Sequence, residues 1–404
     1  MIGFIGVLQS LLVQPAVRRP PFFDEQRYKL WASNALDHGF YGDTVDQFPA
    51  KEEFRSVPYS AYVPPGYVFF LIALEAPFGR GNVPVRVSQA LLVGTGVVAA
   101  GLLAHRVFGS AAAIAAAVAV VVTGTLATYS SFALSEVLAA TRLVVAVWLA
   151  VVARDRRSWR LMAVSGFVLG ISVLVRPQVL LLPPLFAAWC FFALGRQRRG
   201  VIAAVALLAG VAVVVMPWTV RNYVRLHAVV PVSTYTWINF WLVNHAGSDG
   251  QFHRPERDIG LAAVKGIRAH DELEQDRIWR RMAMKWIREH PREAFNGWIR
   301  NGRRYVGDSD FLLDRWYRLR RHQVARFDDR WLLLLAAAAV VLCVRSGGWN
   351  LVLPAGVAAY FVAFFCFFVP TARFRVGVLP VVAALAGGVV ERLWRLMRRR
   401  AVPA

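Results

Sequence analysis

The sequence predicts an all-α polytopic membrane protein with about ten transmembrane helices, on three observations. Of its 404 residues, 57% are hydrophobic and 18% charged, against roughly 45–50% apolar and about 25% charged in average soluble domains. The apolar excess falls into blocks of roughly 16–20 residues, the length that a hydrocarbon layer of about 30 Å demands of a helix. The short loops between the blocks concentrate arginine at alternate ends, as membrane insertion favours. A cytosolic enzyme, a disordered chain and a disulfide-stapled secreted scaffold are excluded.

Ten blocks qualify as spans: 2–17, 85–104, 111–128, 134–153, 158–175, 177–194, 200–218, 330–345, 350–369 and 376–393. The first is short and begins at Met1 without a basic flank, so either the true start lies upstream or the span is tilted. Lacking a basic leader and a small-residue cleavage site, it does not read as a signal peptide. Arg154, Arg156, Arg157 and Arg160 form one basic loop, Arg196, Arg198 and Arg199 a second, and Arg392, Arg395, Arg398, Arg399 and Arg400 close the chain. With ten spans all three share one face, which positive-inside bias makes cytoplasmic. Arg18 and Arg19 then fall on the disfavoured side. A further apolar stretch, 63–78, has prolines at both ends and the aromatic anchors Tyr67, Phe69 and Phe70, and is expected along the outer interface.

The chain thus divides into an N-terminal transmembrane module, 1–218, with an outer loop at 18–84, an extracytoplasmic helical loop at 219–329, and C-terminal spans with a basic cytoplasmic tail at 330–404. Residues 271–290 have acids in the first turn and a basic last turn, with Ile278, Met282, Ala283 and Trp286 on one face. Pro291 ends this helix and opens another, with Phe295, Trp298, Ile299 and Gly302 expected on its inner face. The expectation is a small helical cap over the bundle. The net charge of +22 is accounted for by basic cytoplasmic loops and contacts to lipid phosphate. No nucleic-acid-binding motif occurs, and nucleic acid is not an expected partner. Cys190, Cys343 and Cys366 lie inside apolar blocks and read as small buried hydrophobes.

Chemistry concentrates at the outer span ends. Asp24 and Glu25 stand between aromatic residues in Phe23-Asp24-Glu25-Gln26-Arg27-Tyr28. A carboxylate there can accept a proton from a hydroxyl or hold a divalent cation; equally, Asp24 can open a helix running to Gly39. Tyr59, Tyr62 and Tyr67, around Pro64-Pro65-Gly66, suit sugar stacking and an interfacial aromatic belt alike. Glu136 follows Ser135 at the mouth of the fourth span, as a functional or paired acid or as a first-turn residue behind a capping serine. Arg142 lies about two turns deeper, with pairing, snorkelling and phosphate contact all open. Arg176, Arg221 beside Asn222, and the pair Arg373 and Arg375 end spans on the outer side. Their guanidinium forks match phosphate oxygens two at a time, and snorkelling to lipid headgroups is the alternative. Acids in the first outer loop and arginines ringing the mouth together suit an acceptor and an anionic leaving group.

The ordered set of Asp24-Glu25-x-x-Tyr28, Ala32–Gly39, Pro64-Pro65-Gly66-Tyr67, Ser135-Glu136, Val175-Arg176-Pro177, Pro217-Trp218-x-x-Arg221-Asn222 and Arg373-x-Arg375 with Pro380 resembles the GT-C glycosyltransferases. Within them it is most similar to glycosyltransferase family 39, the group that includes protein O-mannosyltransferases and the aminoarabinose transferase of lipid A. The resemblance implies a GT-C-like bundle with juxtamembrane helices in the first outer loop. It implies transfer of a sugar from a polyprenyl-phosphate donor to a protein, lipid or glycan acceptor at the extracytoplasmic face of a bacterial-type inner membrane, with inversion at the sugar carbon. It also implies Asp24 as base or acceptor-orienting carboxylate, with Glu25 and Glu136 assisting. Arg176, Arg221, Arg373 and Arg375 are implied toward the lipid phosphate, and Tyr28, Tyr59, Tyr62 and Asn222 are further candidates for substrate binding. Some members use a divalent metal, but no compact ligand cluster is visible here; His38, His245 and His253 read as loop or interfacial residues.

A transporter or flippase of lipid-linked sugars is the rival from another class, and an inactive GT-C-like scaffold the third. A transporter predicts ionisable groups near mid-membrane and paired broken helices, whereas most of these spans carry no charge, Arg142 excepted. A nucleotide-sugar enzyme would need a Rossmann-like domain, which the chain lacks.

Overall fold

The computed structural model describes residues 1–13, 23–42, 60–308, 329–344 and 348–401. The regular structure among them is helical throughout, with no strand. In chain order the helices are α1 (Ile2–Val13), α2 (Phe23–His38), α3 (Pro65–Phe78), α4 (Asn82–Val107), α5 (Ser110–Thr123), α6 (Thr125–Tyr129), α7 (Glu136–Asp155) and α8 (Trp159–Val175). They continue with α9 (Leu182–Ala193), α10 (Arg198–Leu226), α11 (Thr236–Trp241), α12 (Pro255–Ile259), α13 (Leu261–Arg268), α14 (Glu272–Glu289) and α15 (Pro291–Gly307). The last three are α16 (Arg330–Cys343), α17 (Gly348–Phe367) and α18 (Leu379–Ala401).

Four helices, α4, α7, α10 and α17, are long and apolar enough to cross a membrane. The other apolar blocks form shorter helices, and their prolines and glycines say why. The expected span 111–128 breaks at Gly124, whose φ of 64° ends α5 and starts the short α6. Pro177 stops α8 by disfavouring helical geometry at Arg176, and a 3₁₀ turn over Pro177–Leu181 leads into α9. The stretch 63–78 forms α3, which packs against α2 and α8.

Close crossings hold the bundle together. A methyl on Gly166 of α8 would stand 2.0 Å from the Leu207 carbonyl oxygen of α10, and one on Gly210 would stand 2.2 Å from that of Ala163. The two backbones therefore touch, which is how helices without a hydrophobic drive between them gain packing energy. The bundle's two ends differ chemically. At the end remote from Asp24, Arg154 pairs with Asp155 and donates to Asn350. There Glu391 accepts the Ala111 and Ala112 N–H groups at the start of α5 and pairs with Arg395. The basic groups around Arg154 and Arg395 thus share one end, as their loop charges predict.

The other end carries α11 to α15 as a helical cap with its own core of Trp241, Leu242, Val243, Ile267, Trp279 and Ala283. Asp271 caps α14 by accepting from the Leu273 and Glu274 N–H groups, at 3.0 and 2.9 Å. Pro291 opens α15 as expected, but the inner face differs. Phe295 and Ile299 are exposed, while Ala294, Gly297, Asn301 and Tyr305 are buried. Small residues let α15 lie close on α17, where Trp298 meets Phe367 and Asn301 donates to the Cys366 carbonyl. His245 lies in the loop after α11, as expected, but is buried there: it stacks on Trp241 at 4.5 Å and lies 3.6 Å from Asp258.

Candidate active site

Four segments distant in sequence bring their charges together at the cap end: the first turn of α2, the N-terminus of α7, the Arg-Pro break after α8, and the 3₁₀ turn Ala372–Gly377. Glu136 opens α7 and is buried, with 2% of its side chain exposed. Arg176 Nη2 lies 2.6 Å from Glu136 Oε1, and its guanidinium covers the Phe374 ring at 5.5 Å. Arg373 donates from Nε to the same Glu136 oxygen and from Nη1 to Asp24 Oδ2, the latter at 2.8 Å. Asp24 is the accessible member, with 43% of its side chain exposed. Two carboxylates and two guanidiniums therefore share one network. A cavity of about 10 Å³ beside Glu136, Arg176, Gln178 and Arg373 leaves room for roughly one water.

The adjacent acids point in different directions, as neighbours on a helix must. Glu25 is buried and accepts the Ala133 N–H at 2.6 Å, fixing α2 onto the turn that leads to Ser135. One helical turn beyond Asp24, the Tyr28 hydroxyl lies 3.4 Å from Ser135 Oγ, and its ring stands edge-on to Tyr67 at 5.0 Å. Burial raises the Tyr28 hydroxyl above its ordinary pKa, with the Arg176 charge opposing. Ser135 makes no side-chain cap to α7.

Tyr62 stands at the rim, its ring 4.6 Å from that of Tyr235 and under the Arg27 guanidinium at 5.4 Å. Tyr235 and Arg27 were not singled out from the sequence. Tyr235 follows an irregular loop, and only the folding of the cap over α2 places it where it feels the Asp24 charge. Tyr59 lies outside the described residues.

The remaining candidates are placed elsewhere. Arg221 donates to the Ser60 carbonyl at 3.0 Å and stacks over Trp218 at 4.6 Å. Asn222 donates to the Val230 carbonyl at 2.8 Å. Beside them Glu272 of the cap accepts from the Ser60 hydroxyl and from the Ala61 N–H, and burial raises its pKa against those donors. Glu272 thus ties the cap, and Arg221 ties α10, to the segment before α3, while Asn222 holds the chain that follows α10. Arg375 is turned away from Asp24 and Glu136. It is 2% exposed, pairs with Asp329 at 3.0 Å and donates to the Tyr305 and Asp308 carbonyls at 2.7 and 2.8 Å.

Among the described residues no three His, Cys, Asp or Glu side chains converge on a metal position. The two acids of the network are bridged by the Arg373 guanidinium, and with Arg176 on Glu136 the two arginines carry together the charge a divalent ion would bring. This donor set does not fit a resident metal.

A family model described as dolichyl-phosphate-mannose-protein mannosyltransferase matches residues 62–221. No curated protein sequence matches. The oligosaccharyltransferase AglB of Archaeoglobus fulgidus, in complex with an inhibitory peptide and a dolichol-phosphate, is similar in structure over 100% of this chain and 52% of its own, with 16% identity and a TM-score of 0.57. The same enzyme in complex with zinc and sulfate gives 98%, 50%, 17% and 0.57 in turn. ArnT of Cupriavidus metallidurans bound to undecaprenyl phosphate aligns over 97% of this chain and 77% of its own, with 14% identity and a TM-score of 0.43. The chain spans about half the length of the oligosaccharyltransferase. Its fold is that of the GT-C glycosyltransferase superfamily.

Proposed function

We propose that this chain is a glycosyltransferase that moves a sugar from a polyprenyl-phosphate donor to an acceptor hydroxyl or amine at the extracytoplasmic face of the membrane. One observation carries the reading: a single guanidinium, Arg373, holds the accessible Asp24 and the buried Glu136 together at the mouth of the bundle. The family match, and the dolichol-phosphate in the name of a structural neighbour, support the class of donor.

The chemistry follows from charge. The acceptor oxygen or nitrogen attacks the anomeric carbon, the bond from that carbon to the phosphate oxygen breaks, and the sugar is inverted. Negative charge grows on the departing phosphate, where Arg373 and Arg176 stabilise it in a water-poor site. Asp24 orients the acceptor and takes its proton. Asp24 and Glu136 neutralise both arginines, so the phosphate must take the place of Asp24 on Arg373. That exchange frees Asp24 as base when the donor arrives. Glu25 and Tyr28 serve by fixing α2, and Tyr62 with Tyr235 forms an aromatic rim against which a sugar face can stack.

The test uses the purified chain in sealed proteoliposomes with a panel of synthetic polyprenyl-phosphate sugars and acceptors. Release of polyprenyl phosphate together with glycosylated acceptor supports the reading. Unchanged donor in every combination, or movement of intact donor across the bilayer, overturns it.

A further inference from the structure

A second cluster of arginines lies outside the transfer site. On the face of α15 opposite its contact with α17, Asn296, Ile299, Arg300, Arg303 and Arg304 follow at helical spacing and, with Asp308, line a cleft of about 460 Å³ open to solvent. The cleft stands on a rigid support. Behind it Trp298 packs on Phe367, Asn301 donates to the Cys366 carbonyl, and the Tyr305 carbonyl accepts from Arg375. At its rim, Arg300 is fixed by donating to the Ser248 carbonyl at 2.8 Å.

The charges there are unbalanced. Neither Arg303 nor Arg304 has an ion pair among the described residues, and Arg304 Nη1 is buried with no hydrogen-bond partner. Asp249 feels the Arg304 charge, but its carboxylate is engaged by the His253 ring and the Gln251 N–H. Asp308 is the only carboxylate in the lining. Basic residues near a helix C-terminus favourably offset its dipole, which accounts for positive charge in this turn. It does not account for a cleft wide enough for an anion, nor for a buried donor without an acceptor. A planar fork with free donors matches the oxygens of a phosphate group, and such contacts are among the stronger charge-assisted hydrogen bonds.

We propose that the α15 cleft binds a phosphate group, through Arg303 and Arg304 with Arg300 at the rim. The phosphate comes from the headgroup of an anionic membrane lipid or from a soluble phosphorylated ligand. The site is separate from the Asp24–Arg373 network, and the inference stands whether or not the chain proves to be a transferase.

The experiment titrates the full purified chain in neutral detergent with inorganic phosphate by calorimetry. A parallel arm measures co-purified or added phosphatidylglycerol against phosphatidylcholine by native mass spectrometry. Arg303→Gln/Arg304→Gln is compared with Lys285→Gln/Arg288→Gln, which removes the same charge from exposed positions on α14. The cleft variant should lose at least about tenfold in affinity for one or both probes while the α14 variant changes little. Asp308→Asn, which keeps the backbone carbonyl that Arg375 uses, should tighten binding about two- to fivefold by removing the competing carboxylate. Binding of phosphate alone assigns the soluble ligand, and preference for phosphatidylglycerol alone assigns the lipid. Equal loss in the two double variants, no loss in the cleft variant, or no phosphate and no lipid preference in the intact chain would overturn the proposal. A phosphate bound by Arg176 and Arg373 persists in the cleft variant and so is told apart.

Discussion

Arg373 Nη1 lies 2.8 Å from Asp24 Oδ2 although 349 residues separate them in the chain. The contact links the first and last thirds of the protein and gives one guanidinium two carboxylates to hold. Replacing Arg373 by Lys keeps the charge but loses the fork, so it cannot span both acids at once. Turnover of a polyprenyl-phosphate sugar is expected to fall by about 10²–10³-fold in Arg373→Lys and further in Arg373→Gln. Initial rates at saturating donor, compared with melting temperature, separate this loss from unfolding.

Arg375, two residues on, is expected to behave in the opposite way. Its removal strands Asp329, which is 4% exposed, and breaking a buried pair from one side costs about 3–5 kcal/mol. Arg375→Met should therefore lower thermal stability, and adding Asp329→Asn should recover a large part of it. The surviving folded enzyme should keep its donor KM, which a phosphate-binding arginine would not.

Much of this site was legible in the sequence because charge at the end of an apolar span is costly to keep without a purpose. Asp24, Glu136, Arg176 and Arg373 stand out on that ground, and the fold unites them. The different fates of Arg373 and Arg375 were not legible. They sit on a 3₁₀ turn with about three residues per turn, where positions two apart point to different sides, and only the position of Asp329 tells which one is structural. Glu25 stood out beside Asp24, but its hold on the Ala133 N–H was not legible, since a backbone group leaves no mark in the sequence, and neither was Tyr235, which no local pattern links to Asp24. On α15 apolar size is a poor guide to the inner face: Trp298 and Gly302 meet α17 as expected, a methyl on Gly302 standing 2.8 Å from Cys366 Sγ, whereas Phe295 and Ile299 are exposed.

Gly66 tests the backbone support behind Arg176. A methyl there would lie 2.6 Å from the Val175 nitrogen and 2.7 Å from the Leu174 carbonyl carbon. Backbone cannot yield as a flexible side chain can, so Gly66→Ala should cost about 1–3 kcal/mol of stability. It should also displace Arg176 from Glu136. Turnover should drop more than the fraction unfolded accounts for, as judged from thermal melts at the assay temperature.

The cap should respond to pH through Asp276. Burial pushes this acid up to about 6, against the Trp237 N–H that it accepts at 3.0 Å, with Glu272 adding to the rise and Arg280 opposing it. An acid whose folded pKa is raised stabilises the fold below its unfolded value, near 4, and that contribution is lost as pH rises through about 6. The change is at most about 3 kcal/mol and smaller because the carboxylate is partly solvated. The protection factors of α11 amides, that is exchange corrected for its intrinsic rise with pH, should fall between pH 4 and 7. Asp276→Asn, which still accepts the Trp237 bond, should remove this part of the pH dependence.

In the proposed transfer Asp24 receives the proton of the acceptor while the arginines hold the departing phosphate. Single-turnover transfer with Asp24→Asn, measured beside its binding of the same polyprenyl-phosphate sugar, probes both roles together. The rate should fall by about 10²–10⁴-fold, with donor affinity kept or increased because Arg373 is released from its carboxylate. Transfer by the variant at the rate of the intact protein would contradict the role of Asp24.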